Sequence, residues 1–140
     1  LSPEAAIAAT AAIAATAAIA ATSWHKYRMD RVVASMPQGI DATVDIFFIL
    51  LDTWMNDASV DKLLSDNGLI AVDPFALAAF NAVEPDFADG HPCFTHWKDA
   101  KGGWCYAAFS AWSGEREVEI RQCVSSWGGR WRVAGVLKPS

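Results

Sequence analysis

The sequence predicts an α+β fold in which a long N-terminal apolar helix precedes short helices packed on a four-stranded antiparallel meander sheet. Three observations lead there. Residues 5–22 are three consecutive copies of the unit AAIAAT. Asn67-Gly68, Asp73-Pro74 and Pro85 cut the middle of the chain into helix-length runs. Glycine-containing turns divide the last third into strand-length apolar runs.

Ser2 suits an N-cap, Pro3 the first helical position and Glu4 the positive end of the helix dipole. On a helix each six-residue step turns about 240°, so Ile7, Ile13 and Ile19 point in three directions, with Thr10, Thr16 and Thr22 between them. Such a helix has no charged face and needs a non-aqueous or protein environment on every side. With no breaker before Pro37 and Gly39 it runs for roughly 30 residues, about 45 to 50 Å. The repeat alone spans about 27 Å, just short of a hydrocarbon core of roughly 30 Å. Trp24, His25, Lys26, Tyr27, Arg28 and Arg31 follow it, the aromatic and basic mixture found at membrane interfaces. Membrane span, packed bundle or filament core, and low-complexity extension all stay open. The domain division expected is a helix over residues 1–36 and a small α+β head over residues 37–140, and no secretory signal in its usual order precedes the repeat.

Val44, Phe47, Phe48, Leu51, Trp54 and Met55 recur at helical spacing and predict the first helix of the head. A second covers residues 57–64, a brief strand residues 69–72, and a third helix starts at the Asp73-Pro74 pair and runs to Ala82. Strands are expected over residues 94–97, 104–112, 116–127 and 130–137. A two-residue turn at Gly128-Gly129 pairs Val124 with Val133, and a three-residue loop at residues 113–115 sets Ala108 opposite Ile120. That register sets Cys105 opposite Cys123, as a candidate disulfide or a pair of reduced thiols.

The net charge of −5 is uneven, with the acids concentrated between Asp41 and Asp99, so nucleic acid is not expected as a partner. His91, Cys93, His96 and Cys105 are zinc-ligand types, but their spacing matches no finger or ribbon, so no metal and no cofactor is assigned. His96, Asp99 and Tyr106 form a candidate pocket able to supply an acid and a base, although nothing in their spacing brings them together. Glu115, Glu117 and Glu119 alternate as on a strand with one wet face, and the tryptophans near strand ends, Trp97, Trp112 and Trp127, are candidates for a buried edge or a binding rim.

From Ile40 onward the order of short helices, strand, helix and curved sheet, ending in GGRWRVAGVL, resembles the cone-shaped nuclear transport factor 2-like and cystatin-like folds. That resemblance implies a small isomerase or dehydratase, a non-catalytic binding domain, or a scaffold domain of a type IV secretion machine. No catalytic motif of those families maps onto this chain. Leu1, Glu4, the repeat, and Trp24 with Tyr27 beyond it resemble in outline the long helix of type IV pilins, which forms a filament core. The reading is a non-catalytic assembly subunit of the cell envelope or exterior. It forms a homo-oligomer, or is anchored in a membrane, through Ile7, Thr10, Ile13, Thr16, Ile19, Thr22, Trp24 and Tyr27. A ligand-binding or enzymatic cone is the alternative.

Overall fold

Ile46, Phe47 and Phe48, consecutive in the run ATVDIFFIL at residues 42–50, are all buried, and that burial on both faces decides its conformation. Ile46 and Phe48 enter one apolar cluster, while Phe47 and Leu51 enter another. A strand sends successive side chains to opposite faces, so a strand covered on both sides carries an unbroken apolar run. The helix expected across Val44 to Met55 is therefore corrected to a strand rich in β-branched and aromatic residues.

This computed structural model describes residues 5–9, 24–28, 32, 36–37, 42–112, 114–122 and 126–139. In chain order they form β1 (Ala5–Ala9), β2 (His25–Arg28), β3 (Ala42–Leu50), α1 (Asp57–Asp66), β4 (Leu69–Ala71), α2 (Pro74–Val83), α3 (Phe87–Gly90), β5 (Cys93–Lys98), β6 (Trp104–Trp112), β7 (Glu115–Gln122) and β8 (Arg132–Leu137). The strands lie in the order β1-β3-β8-β5-β6-β7-β2, with β4 also paired to β8. The pairs β5–β8 and β2–β7 are parallel and the others antiparallel, so the fold is α+β with a mixed sheet.

Side-chain alternation builds a core on each face. Towards α1 lie Val60, Leu64, Leu69, Phe94, Tyr106, Trp127 and Val133. Towards α2 lie Leu77, Phe80, Phe48, Cys93, Trp97, Cys105 and Phe109. The helices begin where the sequence marks them. The Asn56 side chain accepts from the Ser59 N–H at 2.8 Å to cap α1, and the Asp73 carboxylate accepts from the Ala76 N–H at 2.9 Å with Pro74 at the first position of α2. The end of α1 passes through Asn67 to Gly68, whose φ of 73° favours glycine.

The long N-terminal helix is the principal correction. Ala5–Ala9 is instead a strand, antiparallel to β3 with Ile7 opposite Val44, and His25–Arg28 is a strand running parallel to β7. A helix apolar on every side has no one face to bury, whereas a strand gains a partner by adding to an edge. Of the residues expected on that helix, Thr10, Ile13, Thr16, Ile19 and Thr22 lie outside the described residues. Trp24 is buried, its ring edge-on to Phe109 with centroids 6.0 Å apart, and Tyr27 sits in β2 opposite Glu119. No helix among the described residues is long and apolar enough to cross a membrane.

The four-stranded meander is corrected at two points. The loop after β6 is one residue shorter than expected, with Trp112 opposite Glu115 and Gly114 at φ 82°. A slip of one residue exchanges faces along the whole pair. Ala108 thus faces Glu119 and Cys105 faces Gln122 directly, while Cys123 lies outside the described residues. Among the described residues the final hairpin is not formed either, Val124 lying outside them, since β7 pairs with β6 and β2 and not with β8. Trp127 pairs instead with Met55 through two backbone hydrogen bonds of 2.7 and 3.0 Å, and β8 enters the centre of the sheet between β3 and β5. The completely buried Val133 and Ala134 suit that central place.

Gly135 is required there by close approach. A Cβ at this position would lie 2.8 Å from Leu64 Cδ2 and 3.0 Å from the Ile70 carbonyl oxygen. Overpacking of this kind costs about 1–3 kcal/mol, so Gly135→Ala is expected to lower the urea unfolding midpoint with an unchanged slope. An unchanged midpoint would show that the spacing of α1, β4 and β8 is not fixed at this glycine.

Candidate functional site

His96 lies in the middle of β5 with its side chain fully buried and both ring nitrogens engaged. Its Nδ1 lies 2.7 Å from Asp57 Oδ1 and its Nε2 lies 2.7 Å from Asp61 Oδ1. A carboxylate oxygen accepts, so the two contacts suit the doubly protonated ring, in which both nitrogens donate. The two acids are one helical turn apart on α1, which puts both over the sheet. Burial opposes the charge, but the hydrogen bonds to Asp57 and Asp61 and their negative charge outweigh it and hold the His96 pKa above its ordinary value. Trp104 stacks on the imidazole with centroids 4.4 Å apart.

Asp57 Oδ1 also accepts from the Trp127 indole N–H at 3.0 Å. The indole lies flat on Phe94, centroids 3.7 Å apart and planes 8° apart, with Tyr106 and Trp131 edge-on to it at 5.1 and 5.2 Å. These rings open onto a cleft of about 280 Å³ lined by Trp54, Tyr106, Ala108, Glu119, Ser126, Trp127, Gly128, Gly129, Arg130 and Trp131. The Tyr106 hydroxyl donates to Glu119 Oε2 at 3.1 Å. Burial, then the neighbouring Glu119 carboxylate, pushes its pKa up to about 12, so the phenol is neutral at physiological pH. A second depression of about 530 Å³ lies over Asp61, Ser65, His96, Lys98, Trp104 and Lys138. Its lysines are engaged, Lys138 with Ser65 at 2.6 Å and Lys98 over the Trp104 ring at 5.0 Å.

The expected pocket of His96, Asp99 and Tyr106 is distributed over three places. His96 and Tyr106 are directly opposite each other on β5 and β6, but His96 faces the two aspartates and Tyr106 faces the aromatic cleft. Asp99 shapes the turn between those strands, accepting from the Lys101 and Gly103 N–H groups at 2.9 and 2.8 Å and from Gln122 at 2.8 Å. The Gly103 N–H foremost, then Lys101 and Gln122, holds its carboxyl below the usual range. No group of three or more His, Cys, Asp or Glu side chains arranged to hold a metal occurs among the described residues.

Sequence reasoning missed Asp57 and Asp61, although acids at i and i+4 on one helix were a usable signal. Trp127 was legible as a tryptophan near a strand end, but spacing alone gave no means of joining it to Trp54, Tyr106 and Trp131. Both nitrogens of His96 are engaged by the two aspartates, so the hydrogen-bonding positions of the ring are filled within the fold.

The raised pKa of His96 has a signed consequence. A group whose pKa is higher in the folded state contributes stability that is fully present below the unfolded value, here 6.5, and is lost as pH rises through the folded value. As pH rises above 6.5 and through the raised folded value, the urea midpoint of the native protein is therefore expected to fall relative to that of His96→Gln. Parallel pH profiles for the two proteins would remove the ion triad from the stability of the fold. No protein-family model matches this chain, and comparisons with curated proteins and with solved structures give no significant match.

Proposed function

We propose that this domain is a non-catalytic module that binds a small ligand in the aromatic cleft. The observation that carries the reading is the convergence of Trp54, Tyr106, Trp127 and Trp131, from three distant parts of the chain, on one cavity of about 280 Å³ that also holds Glu119 and Arg130. Largely apolar concave sites with a few placed polar groups are the usual form of small-molecule sites. Trp54 supports the reading further, because it is 73% exposed beside buried aromatic residues. The resemblance to cone-shaped folds enters this proposal through their non-catalytic binding members alone.

A mixed panel of small amines, aromatic acids, sugars and nucleosides, observed through the indole N–H resonances, tests the proposal. Binding is expected to move the Trp54 and Trp131 signals, and Trp54→Ala is expected to weaken it about tenfold or more, equivalent to about 1.4 kcal/mol. A panel that leaves these resonances in place would reject the module.

Self-association of the N-terminal segment has a different basis once the helix is replaced by strands. β1 and β2 are the outermost of the described strands at the two ends of the sheet order, and outer strands are where a second copy can add. On this second reading the full chain is expected to show a mass above that of a monomer by light scattering, decreasing on dilution. A monomer at all concentrations would exclude it.

A further inference from the structure

We propose that the ligand of the aromatic cleft is a neutral polyhydroxylated ring, that is, a saccharide unit that stacks on Trp54. The inference rests on the binding-module reading and adds the chemical class. It begins with how Trp54 is held. A Cβ built on Gly128 would lie 3.2 Å from Trp54 Cη2 and 3.4 Å from both Cζ2 and Cζ3. Three adjacent ring atoms at nearly one distance place the indole face over the glycine backbone. Its other face accounts for the high exposure of the side chain. A flat, water-facing indole at the mouth of a cleft offers apolar area to the C–H face of a sugar ring, a surface that is itself apolar on the face and polar around the rim.

The polar lining then distinguishes between ligand charges. Glu119 and Arg130 both line the cleft, so one acidic and one basic side chain border it and neither sign of ligand charge is favoured by the lining alone. A quaternary ammonium would gain from the rings and from Glu119 but would meet Arg130, and an anion would meet Glu119. Hydroxyl groups both donate and accept, so a ring bearing several of them can use a carboxylate, a guanidinium and the Ser126 hydroxyl together. The hydrogen-bonding atoms of two rings are already committed, the Trp127 N–H to Asp57 and the Tyr106 hydroxyl to Glu119. Those two rings therefore meet the ligand mainly as apolar walls, and the polar side chains beside them in the lining are Glu119, Arg130 and Ser126.

The experiment titrates the full chain with methyl glucoside, methyl galactoside and their β-linked disaccharides, with tetramethylammonium and benzoate as charged probes, following indole N–H shifts and tryptophan emission. Neutral sugars are expected to bind in the millimolar range, with little change from low to high salt. Trp54→Ala is expected to weaken them about tenfold or more, and Glu119→Gln several-fold. Both positions are exposed or half-exposed, so the variants are expected to retain the native unfolding midpoint; if Trp54→Ala does not, Trp54→Tyr, which keeps a ring, is expected to retain most of the binding. Binding of a charged probe without any sugar would overturn the ligand class and leave the module standing. Failure of every sugar together with every member of the mixed panel would overturn both, and sugar binding unaffected by Trp54→Ala would overturn the assignment of the site.

Discussion

One carboxylate oxygen ties the molecule together. Asp57 Oδ1 accepts from His96 on β5 and from the Trp127 indole, at 2.7 and 3.0 Å, and so fixes the start of α1 against the central sheet and against the segment leading to β8. Asp57 stands in the first turn of α1, where the helix dipole favours a negative charge, and Asp61 meets the other ring nitrogen of His96 from the opposite side. Removing a charge of this kind from water is costly and is offset only when every donor and acceptor is matched. Here both ring nitrogens are matched, and the requirement for two particular aspartates leaves α1 with one register over the sheet.

The aromatic cleft is a consequence of that anchoring. With its N–H directed to Asp57, Trp127 can lie flat on Phe94, and its backbone pairs with Met55 instead of continuing a hairpin. The chain then turns through Gly128 and Gly129, and the Leu51 N–H donates to the Trp131 carbonyl as β8 enters between β3 and β5. The same diversion that prevents a simple meander therefore brings Trp131 and Arg130 opposite Tyr106 and Glu119. Topology and site have one cause.

This cause also explains what was legible in the sequence. Local signals were read correctly: Asp73-Pro74 starts α2, Asn67-Gly68 ends α1, and Trp104–Trp112 is a strand with the bounds expected. Signals that depend on what covers a segment were misread. ATVDIFFIL satisfies a helical spacing because Ile46, Phe47 and Phe48 are buried on opposite faces in succession, and a short apolar run without alternation does not distinguish strand from helix. The alanine repeat was placed on a helical wheel, but a unit of six is a whole multiple of the strand period of two, so it is in phase with a strand and out of phase with a helix. Over Ala5–Ala9 the edge of β3 overrides alanine's helical preference. The His96 cluster was invisible because it joins residues separated by 39 and 35 positions, and only the packing of α1 on the sheet makes them neighbours.

The cleft combines a rigid part and a free part, and this division bears on how a ligand is recognised. Trp127, Tyr106 and Phe94 are buried and locked by stacking and hydrogen bonds, so a ligand meets walls that are already ordered. Such preorganisation avoids the loss of side-chain freedom that otherwise offsets binding energy, about 0.5–1.5 kcal/mol for each side chain immobilised. Trp54 is the exception, since its main support is the backbone of Gly128 and most of its surface meets water. Among the rings of the cleft, the entropic cost of binding thus falls mainly on Trp54, while Trp127 is held in advance by its bond to Asp57.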